Sequence, residues 1–229
     1  MISVIIVAAG SSTRMEGVNK QLEKIGDIPV FVMSALKFER SEKVCEIVIA
    51  APENEVSRYE KLARDYGISK LSAVVAGGDT RFKSVRNALE AASPETEFIA
   101  IHDGARPLIG TEDIERVFAD AEKYNAAIAA APATDTIKAV SDDGFIEETI
   151  PRGKLCCAQT PQVFRKKLYL SCLEKLGSRA ESVTDDSSIL EMCGEPVRIT
   201  EIKSNNLKIT RPEDLYAAAA IYRRRMDNT

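Results

Sequence analysis

Short apolar runs at Ile2–Ala8, Glu46–Ala51, Ser72–Ala76, Phe98–His102, Ala126–Ala131 and Val197–Ile202 punctuate the chain, and a helix-period segment follows most of them. Strands that alternate with helices specify βαβ units, because a parallel neighbour is reached only through a crossover long enough to hold a helix. The pattern predicts an α/β fold: one Rossmann-like domain, residues 1–229, with a mainly parallel sheet. Helices are predicted over Val30–Phe38, Glu53–Tyr66, Thr80–Ala92, Thr111–Tyr124, Lys166–Leu176, Asp185–Cys193 and Pro212–Met226. Thr210 with Glu213 fits a capping box, Thr184 is placed to cap its helix, and Gly194 follows a last apolar residue.

One segment breaks the alternation. Between Thr136 and Ile150, "TIKAVSDDGFIEETI" reads as two β-rich runs around Asp143-Gly144, a hairpin signal. It is expected to project as a β-arm spanning 136–152, whose open edges are best protected by pairing with another subunit.

Composition narrows the function classes. A net charge of −4 argues against a general nucleic-acid binder, which needs a basic surface, but leaves room for a small anion held by a few local cations. No apolar run approaches the roughly 18 residues of a membrane span, and the N-terminal run lacks the basic flank of a signal peptide. The five cysteines, at positions 45, 156, 157, 172 and 193, form no CxxC pair, so free thiols in a reducing cytoplasm are expected. Adjacent Cys156 and Cys157 read as small buried hydrophobes.

In open α/β sheets ligands collect beyond the C-terminal strand ends, and the candidate residues cluster there. After the first strand, Ala8-Ala9-Gly10-Ser11-Ser12-Thr13 lets main-chain N–H groups approach an anion, and Arg14 and Lys20 follow. The stretch lacks both the P-loop ending and the GxGxxG fingerprint. It reads either as a polyphosphate site or as a tight connection with surface charges beside it. In "AGGDTRFKSVRNAL", Gly77-Gly78 allows a sharp turn and Asp79 sits where an N-cap is expected, unless Arg81 and Ser84 face a ligand.

In "IAIHDGARP", Asp103 at a strand end suits Mg²⁺, and Arg106 is either a phosphate ligand or a structural ion pair. His102, the only histidine, has no nucleophile beside it and reads as structural. "RGKLCCAQTPQVF" offers Arg152 and Thr160 as anion donors, with Pro161 enforcing an extended turn. In "VTDDSSIL" the paired acids read as helix caps, and Lys208 of "NNLKITRPEDL" is expected in a short strand before the final helix.

In order, "AAGSSTRM" with "KQ", "GGDTRFKSV", "HDGARP", "DTIK", "RGKLCCAQTPQVF", "TDDSSILE" and "NNLKITRPEDL" resemble the 2-C-methyl-D-erythritol 4-phosphate cytidylyltransferase family, over nearly the whole chain. The resemblance implies a nucleotidyltransferase that moves CMP from CTP to methylerythritol phosphate in non-mevalonate isoprenoid synthesis. It implies Mg²⁺ as cofactor and a homodimer with interlocking β-arms.

By resemblance, Ala8, Ala9, Gly10, Gly78, Asp79, Ser84 and Gly104 contact the nucleotide, Arg14 and Lys20 its phosphates, and Asp103 the metal. Arg106, Thr136, Arg152, Thr160, Thr184 and Lys208 surround the acceptor, with Arg14, Lys20, Arg152 and Lys208 as the catalytic cations. Thr136 and Arg152 flank the arm and are expected to serve a neighbouring subunit's site. Two positions depart from the family: Asn19 stands where proline is common, which is expected to loosen the loop, and Cys156 where an aromatic is common. Ribitol-5-phosphate cytidylyltransferase is the nearest rival. A sugar-1-phosphate nucleotidyltransferase and a silent scaffold fit the later motifs and the retained cations less well.

Overall fold

The computed structural model describes residues 1–10 and 19–227. Its centre is a seven-stranded sheet in the order β11-β7-β10-β6-β1-β4-β5. β1 (Ile2–Val7), β4 (Val44–Ala51), β5 (Leu71–Ala76) and β6 (Phe98–Asp103) run parallel, as β7 (Ala126–Pro132) does with β11 (Arg198–Glu201). Side chains alternate across the strands and feed two cores. Val4 and Ile6 face Phe31, Tyr59 and Phe118 on α1 (Val30–Glu39), α2 (Val56–Asp65) and α4 (Thr111–Tyr124). Ile5 and Val48 face Val85, Tyr169 and Ile189 on α3 (Arg81–Ala91), α5 (Lys166–Leu176) and α6 (Ser187–Met192). Each such buried side chain contributes on the order of 1.5–3 kcal/mol.

The sequence pattern missed β10 (Cys156–Arg165), which lies antiparallel between β6 and β7. Its residues carry neither an apolar run nor a clean alternation, and Pro161 sits inside it. The ladder with β7 skips from Ala158 to Gln162, so the missing proline N–H costs no pairing there. Pro161 therefore belongs to a strand, where an extended turn was expected. At its start β10 pairs with β7 alone, Cys156 opposite Pro132 and Cys157 opposite Ala131. Both cysteines are exposed there, against the expectation of buried ones.

The segment "TIKAVSDDGFIEETI" forms β8 (Ile137–Val140) and β9 (Ile146–Ile150), an antiparallel pair separate from the main sheet. Gly144 supplies the positive φ of the turn, +83°, and Val140, Phe145 and Ile146 are exposed.

A third cluster seats the C-terminal helix. The small hairpin of β2 (Lys24–Ile25) and β3 (Ile28–Pro29) packs with Ala105, Leu108 and Ile209 against α7 (Pro212–Asp227). Three expected caps shift by a residue or more. Thr80, not Asp79, caps α3 by accepting the Lys83 amide at 3.1 Å. Asp185, not Thr184, accepts the Ser188 amide at 3.2 Å. At α7, Asp214 rather than Glu213 reaches back, to the amides of Thr210 and Arg211 at 2.8 and 2.9 Å. Among the described residues no helix is long and apolar enough to cross a membrane.

Candidate active site

The ends of β1, β5 and β6 open into a cleft of about 340 Å³ lined by Ala9, Gly10, Lys20, Gly78, Asp79 and Ser84. A second cleft, of about 480 Å³, adjoins it between β10 and α6 and is lined by Arg106, Thr160 and Thr184. Arg81, Asp103 and Lys208 border both. Arg14 lies outside the described residues.

Small residues shape the first cleft by permitting close approach. A Cβ on Gly77 would stand 2.2 Å from the Ala9 Cβ, and one on Gly78 2.3 Å from the Lys83 Cβ. Neither glycine has a positive φ, so packing requires them and turn geometry does not. Ser84 Oγ accepts the Gly78 amide at 3.1 Å and donates to Thr80 O at 2.9 Å, which holds this turn. Ala8 is buried, and its N–H is committed to Ala50 O, as that of Gly104 is to Val7 O. Asp79 is exposed and pairs with Lys83 Nζ at 3.0 Å. Asn19 closes a turn, its Oδ1 accepting the Gln21 amide at 3.1 Å, and the loop it is expected to loosen lies at positions 11–18, outside the described residues.

Asp103 organises the junction. Its carboxylate lies 2.8 Å from Lys208 Nζ, 3.3 Å from Arg106 Nε and 3.4 Å from Arg81 Nε. Burial alone would raise its pKa, but Arg81, Lys208 and Arg106 outweigh burial and hold it well below the usual carboxylate range. Arg81 Nη1 also lies 2.6 Å from Asp186, which accepts the Tyr169 hydroxyl at 3.1 Å. Asp186 is 1% exposed, and burial pushes its pKa up despite that partner. Burial likewise disfavours the charged Arg81, but Asp186 and Asp103 more than compensate and raise its pKa.

A buried polar frame fixes these groups. Thr160 Oγ1 accepts the Asp103 amide at 3.0 Å and lies 3.1 Å from His102 Nδ1, while His102 Nε2 lies 3.1 Å from Arg106 O. Burial lowers the His102 pKa to about 4, so the ring is neutral and, at 0% exposure, structural as expected. Asn206 Nδ2 donates to Gln159 Oε1 and Thr160 O, and Asn206 O accepts from Arg106 Nη1 at 2.9 Å. Lys208 follows in an extended segment outside any sheet, where a short strand was expected. The Ile209 amide bonds Ala105 O at 2.8 Å and ties the segment down.

Thr136 and Arg152 line neither cleft. Both are exposed beside the hairpin, where Arg152 donates to Thr134 O. Sequence reasoning left Arg81 as an alternative and read Asp186 as a cap. The usable signal was the doubled acid: Asp185 is spent on the cap, which frees Asp186 to turn inward to Arg81.

Among the described residues no group of three or more His, Cys, Asp or Glu side chains could hold a metal. Asp103 is the ionised carboxylate that borders both clefts, while Asp79 lines the first and Asp185 and Glu191 the second. That fits Mg²⁺ carried mainly by substrate phosphates and touching one protein carboxylate, and does not fit a cage built by the protein.

Residues 2–224 match the family model described as 2-C-methyl-D-erythritol 4-phosphate cytidylyltransferase. Proteins of that name from Dehalococcoides mccartyi and Geobacillus kaustophilus are 38% and 40% identical over 223 residues. The alignments cover 97% of this chain in each case, and 96% and 97% of the relatives. The fold also matches the crystal structure of 4-diphosphocytidyl-2C-methyl-D-erythritol synthase from Anaerococcus prevotii, with a TM-score of 0.85 and 30% identity over 97% of this chain and 98% of that one. The Francisella tularensis 2-C-methyl-D-erythritol 4-phosphate cytidylyltransferase aligns with a TM-score of 0.80 and 28% identity over 96% and 99%. The chain belongs to the 2-C-methyl-D-erythritol 4-phosphate cytidylyltransferase family, and is a nucleotidyltransferase.

Proposed function

We propose that the chain transfers CMP from CTP to 2-C-methyl-D-erythritol 4-phosphate, releasing pyrophosphate, as a step of isoprenoid precursor synthesis in the cytoplasm. The observation that carries this reading is the sharing of Arg81, Asp103 and Lys208 by two adjoining clefts. CTP occupies the first cleft, with Ala9, Gly10, Gly78, Asp79 and Ser84 around the nucleotide and Ala8 and Gly104 buried behind them. The acceptor occupies the second, with Arg106, Thr160 and Thr184 around it.

A phosphate monoester is already an oxyanion at neutral pH, so no general base is required. The acceptor oxygen forms a bond to the α-phosphorus of CTP. The bond from that phosphorus to the oxygen bridging the β-phosphate breaks, and pyrophosphate leaves with the electron pair. The barrier lies in bringing two anions into line and in balancing charge as it moves to the leaving group. Lys20 and Arg14 meet that charge on the nucleotide side, and Lys208 and Arg106 draw in the acceptor. Mg²⁺, when bound, neutralises phosphate charge, with Asp103 its protein ligand. A homodimer paired through the hairpin, with Thr136 and Arg152 serving the neighbour's acceptor cleft, completes the reading.

The test is pyrophosphate release from CTP and Mg²⁺ on addition of methylerythritol phosphate or ribitol 5-phosphate. Release with the former supports the proposal; preference for the latter, or no release with either, rejects it.

A further inference from the structure

Lys20 occupies the second position of a turn closed by the Leu22 amide on Asn19 O at 2.9 Å. Nested inside it, Asn19 Oδ1 accepts the Gln21 amide at 3.1 Å, which fixes the backbone on either side of Lys20. The remaining half of the Asn19 amide is tied to another element: Nδ2 donates to the Tyr59 hydroxyl at 3.2 Å. Tyr59 is fully buried on α2 and stacks on Phe31 of α1 with ring centroids 4.4 Å apart, so the hydroxyl is set by the helical layer. Phe31 also anchors the turn directly, because its N–H donates to Gln21 O at 3.1 Å. Gln21 is 3% exposed, and its side-chain oxygen packs so closely on Gly104 that a Cβ there would stand 2.9 Å from it.

We infer that the Asn19–Tyr59 pair is a positioning device that sets where Lys20 presents its ammonium in the nucleotide cleft. This rests on the reading that Lys20 meets the triphosphate. A lysine side chain is long and flexible, so the direction in which it leaves the backbone largely decides how often its charge stands in line with the leaving group. Neither Asn19 nor Tyr59 lines either cleft, so their effect passes through Lys20 and not through contact with substrate. Such a device acts on turnover more than on nucleotide affinity, because charge develops only in the transition state.

The experiment follows CTP-dependent pyrophosphate release by Tyr59→Phe, Asn19→Ala and Asn19→Asp, each in the wild-type and Lys20→Ala backgrounds, with thermal melts to verify folding. Tyr59→Phe keeps the stacked ring and removes the hydroxyl. It is expected to lower kcat by about three- to tenfold, the worth of one hydrogen bond, with less than about a twofold change in KM for CTP. Asn19→Ala, which loses both bonds, is expected to lose about tenfold or more, while Asn19→Asp, which keeps the acceptor for the Gln21 amide and accepts from the Tyr59 hydroxyl instead of donating to it, stays within about threefold of wild type. In the Lys20→Ala background, itself slowed at least about a hundredfold, the Tyr59 and Asn19 effects vanish. Unchanged kcat in both Tyr59→Phe and Asn19→Ala, or effects of full size in the Lys20→Ala background, would overturn the inference alone. Wild-type turnover by Lys20→Ala rejects the phosphate-handling reading and the inference with it, and that variant leaves Asn19 and Tyr59 untouched.

Discussion

Lys208 Nζ lies 2.8 Å from Asp103 Oδ2, at the line where the two clefts meet. The lysine side chain keeps 40% of its exposure and the aspartate 10%, so the carboxylate aims the ammonium without sealing it from a ligand. A cation placed to balance charge in both clefts should matter most as the phosphoryl group passes between them. Lys208→Ala is expected to lower kcat by about a hundredfold, the scale of losing one preorganised charge contact. Steady-state pyrophosphate release measures it, and near-normal turnover would remove Lys208 from the catalytic set.

Asp103→Asn tests the other partner. The amide cannot offset three nearby cations and is a poorer ligand for a hard metal. A higher Mg²⁺ requirement in a metal titration of the variant is the expected result. An unchanged titration would place the metal away from Asp103.

Gly77→Ala probes the packing of β5 against the end of β1. The added methyl would sit 2.2 Å from the Ala9 Cβ and 2.9 Å from Ser84 Oγ, both of which line the first cleft. Relief requires backbone movement there. A loss of about 1–3 kcal/mol in a denaturant titration, with a raised KM for CTP, is expected. Unaltered stability and KM would show that the strand end can yield freely.

How much of this was legible in the sequence depended on whether a signal was local. Fully buried parallel strands such as β1 and β4 announce themselves as apolar runs, so the α/β class and the helix spans could be read directly. β10 could not, because its place between β6 and β7 is set by partners distant in sequence, and its own residues include a proline and two glutamines. At the site, the small residues and Asp103 stand at strand ends, where the topology itself points. The Arg81–Asp186 pair joins residues 105 positions apart, and the helix-start position of Asp186 disguised it as a cap. The exposure of Cys156 and Cys157 was hidden for the same reason as β10, since it depends on where the sheet stops.

That ion pair makes its own prediction. Removing Arg81 strands Asp186, 1% exposed, with only the Tyr169 hydroxyl bonded to its carboxylate among the described residues. Breaking a fully buried pair costs about 3–5 kcal/mol, and Arg81 retains 30% side-chain exposure, so about 2–3 kcal/mol is expected for Arg81→Ala. Adding Asp186→Asn should recover part of it by removing the unpaired charge. Denaturant midpoints of the single and double variants decide the matter, and a double variant less stable than Arg81→Ala would contradict the pairing.

Acid stability gives the last test, at Asp113. It accepts the amides of Lys203 at 3.0 Å and Ser204 at 2.7 Å and pairs with Arg116 at 3.1 Å, thereby fastening the segment that leads to Lys208. Burial would raise its pKa, but the bonds from Ser204 and Lys203 and the charge of Arg116 outweigh it, and the pKa is lowered. The folded state therefore releases this proton more readily than the unfolded chain does. The stabilisation is fully present above the unfolded value near 3.8 and is lost as pH falls through the lower, folded one. Asp113→Asn is expected to reduce stability at neutral pH and to flatten the acid limb of a pH–stability curve below about pH 4. Kinetics should register the same change, because a loosened 203–204 segment lets Lys208 wander. Equal acid limbs in variant and wild type would show that Asp113 does not tether that segment through its charge.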